Sequence, residues 1–250
     1  MSPLLELDHV NKHFGGLYAV QSLSFQVREG EIVGLIGPNG AGKTTVFNLV
    51  NGAYQPDSGR ILFNGADITG EKPYRIARRG LARTHQIVQP LMNMTVHQNC
   101  MVGACFGREN LPLAKAREAA WEAIAIAGLE DRADTQAMHL TIAGKKRLEL
   151  ARALAARPLL LLLDEVLAGL NPSEIDHMID VVRRVRDRGV TILIIEHLMQ
   201  AIMNLSDRIV VLNFGKKLAV GAPADVAANA NVIEAYLGDP NLAIELQKRD

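Results

Sequence analysis

The sequence carries no excess of either charge: Lys plus Arg and Asp plus Glu number 27 each in 250 residues. No global field draws the chain to nucleic acid or to an anionic membrane surface, and no nucleic-acid partner is expected. Long apolar runs are missing too. The longest aliphatic stretches, Leu159 to Leu163 and Ile192 to Ile195, are strand-length, well short of the roughly 18 apolar residues needed to cross a bilayer. Any membrane role must therefore come through a partner. The opening Met1-Ser2-Pro3 runs into Leu4 to Val10 without the basic flank, apolar run or cleavage site of a signal peptide, so the chain is expected to stay in the cytosol. Only two cysteines are present, Cys100 and Cys105, with no second Cys or His pair at metal-ligand spacing. They read as plain thiols in a reducing compartment. His9, His13, His97, His139 and His177 are scattered without metal-ligand spacing and read as structural or surface residues. Internal repeats and low-complexity segments are absent.

A chain of this length can bury one sizeable core, or one core with a small inserted subdomain. Glu31 to Ile36, Leu159 to Leu163, Thr191 to Ile195 and Arg208 to Leu212 are nearly continuous aliphatic runs, the pattern of parallel strands covered on both faces by helices. Leu4 to Val10 and Ser24 to Val27 alternate more, and Arg60 to Phe63 lies between two turn signals, which predicts an antiparallel sheet beside the parallel one. Lys115 to Ala127 is alanine-rich, lacks Gly and Pro, and stops at Gly128, within a stretch from Val88 to Ala155 that has little strand pattern. The expected fold is α/β, a mostly parallel core with an antiparallel β subdomain, formed by residues 1–87 and 156–250, and an inserted helical subdomain over 88–155. Asp225 to Leu237 is expected to be helical, and the charged tail beyond Gly238-Asp239-Pro240 to be peripheral.

Gly37-Pro38-Asn39-Gly40-Ala41-Gly42-Lys43-Thr44-Thr45 fits G-x-x-x-x-G-K-[ST] between an apolar strand and a helical run, the context such a phosphate loop needs. Glycines let backbone N–H groups converge on phosphate oxygens, and the helix N-terminus adds its positive dipole end. Lys43 is placed to reach the β- and γ-phosphates of ATP and the Thr44 hydroxyl to ligate Mg²⁺. A chance glycine turn is the alternative, and the strand and helix flanks count against it.

Asp164-Glu165 ends the run Leu159 to Leu163, at the sheet edge where ligands of open α/β folds bind. Asp164 suits Mg²⁺, and Glu165 suits polarising the attacking water; a solvated acidic turn is the alternative. His197 emerges after Thr191 to Ile195 and Glu196, where it can hydrogen-bond a γ-phosphate, although a lone His is more often structural. Gln86 and Phe14 are weaker alone, a loop Gln and a Phe that fits a core equally well.

Taken together, Phe14, Gly37 to Thr45, Gln86, Asp164-Glu165, Ala168-Gly169-Leu170-Asn171 and His197 resemble the nucleotide-binding subunit of an ABC transporter, across nearly the whole chain. The resemblance implies a P-loop NTPase core and a helical signature subdomain. It implies that Phe14 stacks on adenine, that Gln86 senses Mg²⁺ and links to the permease, that Ala168 to Asn171 cross a dimer interface, and that His197 is the switch histidine. It also implies a head-to-tail dimer sandwiching two ATP molecules, seated on the cytoplasmic face of the membrane through separate transmembrane permease subunits. Phe14-Gly15-Gly16-Leu17, Leu81-Ala82-Arg83-Thr84, Asn93-Met94-Thr95-Val96, Ala168 to Pro172 and Val232 to Gly238 further resemble the ATPases of branched-chain amino acid importers, which implies an indirect solute-binding partner. Urea importers and lipopolysaccharide-export ATPases are related subfamilies, and a soluble ABC ATPase or a regulatory module without turnover are the competing classes.

The signature segment of that family usually reads Leu-Ser-Gly-Gly-Gln, whereas this chain has Leu140-Thr141-Ile142-Ala143-Gly144. Thr141 keeps a hydroxyl for a γ-phosphate, Ala143 adds a Cβ where close backbone approach is expected, and Gly144 falls one position late. Because the signature serves the opposite subunit's nucleotide, the expectation is a hetero-dimer with a second ATPase subunit, a homo-dimer being the alternative. Lys145-Lys146-Arg147 either helps hold phosphate or forms a solvated face. Arg75, Arg78, Arg79 and Arg83 read as a solvated helical face, with a permease or lipid contact as the alternative.

Overall fold

The computed structural model describes residues 3–236. Its strands are β1 (Leu5–Phe14), β2 (Leu17–Val27), β3 (Ile32–Ile36), β4 (Ser58–Phe63), β5 (Ala66–Asp67), β6 (Leu81–Arg83), β7 (Leu160–Asp164), β8 (Thr191–Ile195), β9 (Arg208–Asn213) and β10 (Lys216–Gly221). Its helices are α1 (Lys43–Val50), α2 (Pro73–Arg78), α3 (Val96–Phe106), α4 (Leu113–Ala127), α5 (Ile142–Ala155), α6 (Pro172–Asp187), α7 (Met199–Leu205), α8 (Pro223–Ala227) and α9 (Ala230–Tyr236). The chain divides into two compact units, Met1–Pro73 with Thr191–Asp250, and Tyr74–Val190.

In the first unit, β2, β1, β4 and β5 form an antiparallel sheet in that order. Leu5, Leu7 and Val10 on β1 and Leu23, Phe25 and Val27 on β2 are buried, with less buried residues between them. That alternation, displaced by one residue where the register shifts between Leu7 and Val10, is why the sheet has one core face and one wet face. β3 lies between β9 and β8 and is parallel to both, and all five of its residues are buried, as a strand covered on both faces requires. β10 pairs antiparallel with β9.

The second unit holds the parallel pair β6 and β7 and a helical cluster in which α3, α4 and α5 pack on one another. Helix α4 buries Ala116, Ala119, Ala120, Ala123, Ile124 and Ala127, a stripe of five alanines and one isoleucine that lets its neighbours approach closely along most of its length. It ends at Gly128, as expected, in the left-handed conformation that Gly favours.

The expected aliphatic strands all form within a residue or two of their limits. The short strands β5, β6 and β10 were not legible as strands. The run Asp225 to Leu237 departs from expectation: it forms two short helices, α8 and α9. The Asn229 side chain accepts from the N–H groups of Asn231 and Val232 at 3.0 and 3.3 Å, an alternative to continuing the helix. Leu237 and the charged tail lie outside the described residues. Among the described residues no helix is long and apolar enough to cross a membrane.

Candidate functional site

The first unit carries the phosphate loop between β3 and α1. Helix α1 takes Gly42 as its N-cap, at φ 104° and with no side-chain cap, so the N–H groups of its first turn are turned toward the loop. A Cβ on Gly42 would stand 2.3 Å from the Ala19 carbonyl oxygen, and one on Gly37 would stand 2.2 Å from that of Leu212. Backbone from β2 and β9 thus braces the loop from behind, at a distance only glycine permits. Gly215, in the turn between β9 and β10, donates its N–H to the Ala41 carbonyl at 3.0 Å, and its own carbonyl accepts from Gln21 N at 2.8 Å.

Lys43 is only 7% exposed, and its ammonium donates to the carbonyls of Gly37 at 2.6 Å and Pro38 at 3.1 Å. The charge is held along the loop's own backbone. Thr44 is exposed at the start of α1. Phe14 closes β1 at its turn with β2 and is 45% exposed, so the core reading of this residue does not hold. Its ring meets Tyr54 edge-on at a centroid distance of 5.3 Å, and the Lys12 ammonium stands 5.4 Å from its centroid. His197 follows β8 and the buried Glu196 and is itself exposed.

The second unit carries the acidic pair at the end of β7. Asp164 is 3% exposed; its Oδ2 accepts from Arg83 Nη2 at 2.7 Å, and its N–H is 3.2 Å from the Thr84 hydroxyl oxygen. Arg83 corrects an expectation: it is on strand β6 with its side chain largely buried, whereas Arg75, Arg78 and Arg79 are exposed on or just after α2. Glu165 adopts φ 50°, left-handed backbone that non-glycine residues seldom enter. Its Oε2 accepts from Gln86 Nε2 at 2.6 Å, which joins two residues 79 positions apart.

Helix α5 lies along this unit's functional residues. Lys146 is 7% exposed and donates to the Glu165 carbonyl at 2.8 Å, so it does not lie on a solvated face. Glu149 is 2% exposed and accepts from the His85 N–H at 2.8 Å, and burial raises its pKa above the ordinary Glu range. Arg152 donates to the Gln89 carbonyl at 3.1 Å. Arg147 donates to the Gly128 carbonyl at 3.1 Å and helps line a cavity of about 270 Å³ with His177 and Glu174. At the helix start, the Thr141 hydroxyl caps α5 by accepting from Gly144 N at 3.1 Å, and Ala143 is buried in the first turn.

The sequence-chosen residues thus fall on both units: Phe14, the phosphate loop and His197 on the first, and Gln86, Asp164, Glu165 and the segment 140–144 on the second. Sequence reasoning missed Arg83, Lys146, Glu149 and Arg152 as supports. The available signal was the three-residue spacing of Lys146, Glu149 and Arg152, which puts three charged groups on one face of a helix.

A glycine-braced loop that opens a helix after a buried parallel strand, with a strand-end acidic pair, defines a P-loop nucleotide-binding ATPase. The family model described as ABC transporter matches residues 20–168, and the model described as branched-chain amino acid ATP-binding cassette transporter matches residues 216–240. The chain is 41% identical over 253 residues to the high-affinity branched-chain amino acid transport ATP-binding protein LivG of Salmonella typhimurium, covering 95% of this chain and 98% of that one. It is 40% identical over 251 residues to the corresponding protein BraF of Pseudomonas aeruginosa, with the same coverage. The solved ADP conformation of an ATP-binding cassette of an ABC transporter superposes with a TM-score of 0.85 at 29% identity, over 96% of this chain and 100% of that one. The chain belongs to the ABC transporter family and is an ATP-hydrolysing, nucleotide-binding subunit of it.

Proposed function

We propose that this subunit powers import of branched-chain or related amino acids through a separate membrane permease, from the cytoplasmic face of the membrane. The observation that carries this is the end-to-end similarity to LivG and BraF, together with the match of residues 216–240 to the branched-chain model. A solute-binding protein delivers the cargo to the permease.

In this reading residues 1–87 and 156–250 form the ATP-binding core and 88–155 the signature subdomain, a division supported by the mutual packing of α3, α4 and α5. Phe14 stacks on the adenine, and Gly37, Pro38, Asn39, Gly40, Ala41, Gly42, Thr44 and Thr45 cradle the phosphates. Lys43 moves its ammonium from loop carbonyls to the β- and γ-phosphates. The donor chemistry fits Mg²⁺, which favours few protein ligands plus nucleotide phosphates, with Thr44, Gln86 and Asp164 as its side-chain neighbours. The ion offsets charge on the triphosphate. Glu165 polarises the attacking water, and His197 orients it or contacts the γ-phosphate. Thr141, Ala143 and Gly144 face the nucleotide of the opposite subunit, and their departure from the usual signature supports pairing with a different ATPase subunit.

The test is ATP-driven uptake of leucine into membrane vesicles bearing the assembled complex. Uptake that is lost with Lys43→Ala is the expected result; transport of urea or lipopolysaccharide instead, or a chain that never associates with membranes, overturns the cargo assignment. Full two-site turnover by an ATP-dependent homo-dimer of the purified chain refutes the unequal pair.

A further inference from the structure

The backbone of Glu165 and the loop carrying Gln86 are both held from one face of α5. Lys146, Glu149 and Arg152 are spaced three residues apart, which aligns them along a helix. Lys146 donates to the Glu165 carbonyl, Glu149 accepts from the His85 N–H, and Arg152 donates to the Gln89 carbonyl, so the last two grip either side of Gln86. We infer that Lys146 is a positioning residue for hydrolysis, and that this face of α5 sets the geometry of the Gln86–Glu165 pair.

The physical reason lies in the φ of 50° at Glu165. In that conformation the side chain leaves the end of β7 in a direction that right-handed or extended backbone would not give, and it meets Gln86 at 2.6 Å. An L-residue does not hold this conformation without support. Support is visible on its carbonyl, which accepts from both Lys146 Nζ at 2.8 Å and Ala168 N at 3.3 Å. A lysine that is 7% exposed holds a donor that is costly to bury, and a carbonyl partner offsets that cost only while the geometry holds. Lys145 and Arg147, its neighbours on α5, are both less buried. The burial is therefore specific to the position that reaches Glu165.

The inference rests on the proposed role of Glu165 as the group that polarises water. The experiment measures kcat and the ATP dissociation constant of the assembled transporter complex carrying Lys146→Met, which removes the donor, or Lys146→Gln, which keeps a neutral N–H donor, with Glu165→Gln as reference. Displacement of a catalytic group by about 1 Å costs on the order of 10²-fold, so Lys146→Met should lower kcat about ten- to hundredfold, with Lys146→Gln intermediate and ATP affinity unchanged. A merely structural lysine would lower the melting temperature and ATP affinity together with the rate. If Lys146→Met does not fold, Lys146→Gln decides: a severalfold loss of kcat at unchanged affinity supports the inference. Wild-type kcat in either folded variant while Glu165→Gln is inactive overturns it alone. Retained turnover in Glu165→Gln overturns the role of Glu165 itself.

Discussion

The amide of Gln86 donates to the carboxylate of Glu165 at 2.6 Å, and the same glutamate is the residue of the acidic pair with left-handed backbone. A neutral donor on a carboxylate oxygen orients the group without taking its proton-accepting capacity, because a carboxylate offers acceptor sites on both oxygens. Glu165→Gln should lower ATP turnover by about 10² to 10⁴ while leaving ATP binding intact. Gln86→Ala should cost less, roughly tenfold, since it frees the carboxylate's orientation but spares its chemistry. Phosphate-release rates beside calorimetric ATP binding check both, and equal losses in binding would contradict them.

The loop's glycines make a sharper stability prediction. Gly42→Ala adds a Cβ 2.3 Å from the Ala19 carbonyl oxygen, at φ 104°. Strain of left-handed backbone alone costs roughly 1 to 2 kcal/mol, and the clash with fixed backbone adds to it. Gly16→Ala meets nothing within 4 Å and is the control, expected to be neutral or to stabilise by about 0.4 to 1 kcal/mol. Thermal unfolding should fall to lower temperature for Gly42→Ala and stay level or rise for Gly16→Ala.

Burial raises the pKa of Glu149, opposed in part by the His85 N–H, Arg152, the Gln89 backbone and Lys146. The folded state therefore holds this proton to higher pH than the unfolded chain does. The stability it contributes is fully present below the ordinary value of 4.5 and is lost as pH rises through the raised folded value. Glu149→Gln removes that titration. The melting temperature of the variant relative to wild type should climb as pH is raised from acid to neutral, and a flat difference would contradict the assignment.

Cys100 and Cys105 should separate in a thiol titration. Burial pushes the Cys100 thiol up to about 12, so at pH 8 only about one in ten thousand is thiolate, and Cys105 is partly exposed. Native protein should react with an aromatic disulfide reagent at one thiol, Cys105, and release the second only on denaturation. Rapid labelling of both would mean that α3 opens easily.

The phosphate loop, the acidic pair and the aliphatic strands were legible in the sequence because each is a contiguous run whose residue types and spacing meet a local requirement. Strand β7 announces itself by four leucines and an aspartate, and the loop by glycines at set offsets ahead of a lysine. Tertiary structure alone decided what supports them. Lys146 and Lys145 are the same residue type on the same helix, and only the packing of α5 chooses which is buried against Glu165. Arg83 resembled the arginines before it until the pairing of β6 with β7 set it beside Asp164. The carbonyls of Ala19 and Leu212, which hold the loop's glycines to glycine, come from strands far away in sequence. Local pattern specifies which chemistry a segment carries; the contacts that aim that chemistry join residues tens of positions apart, where one sequence holds no periodicity to read.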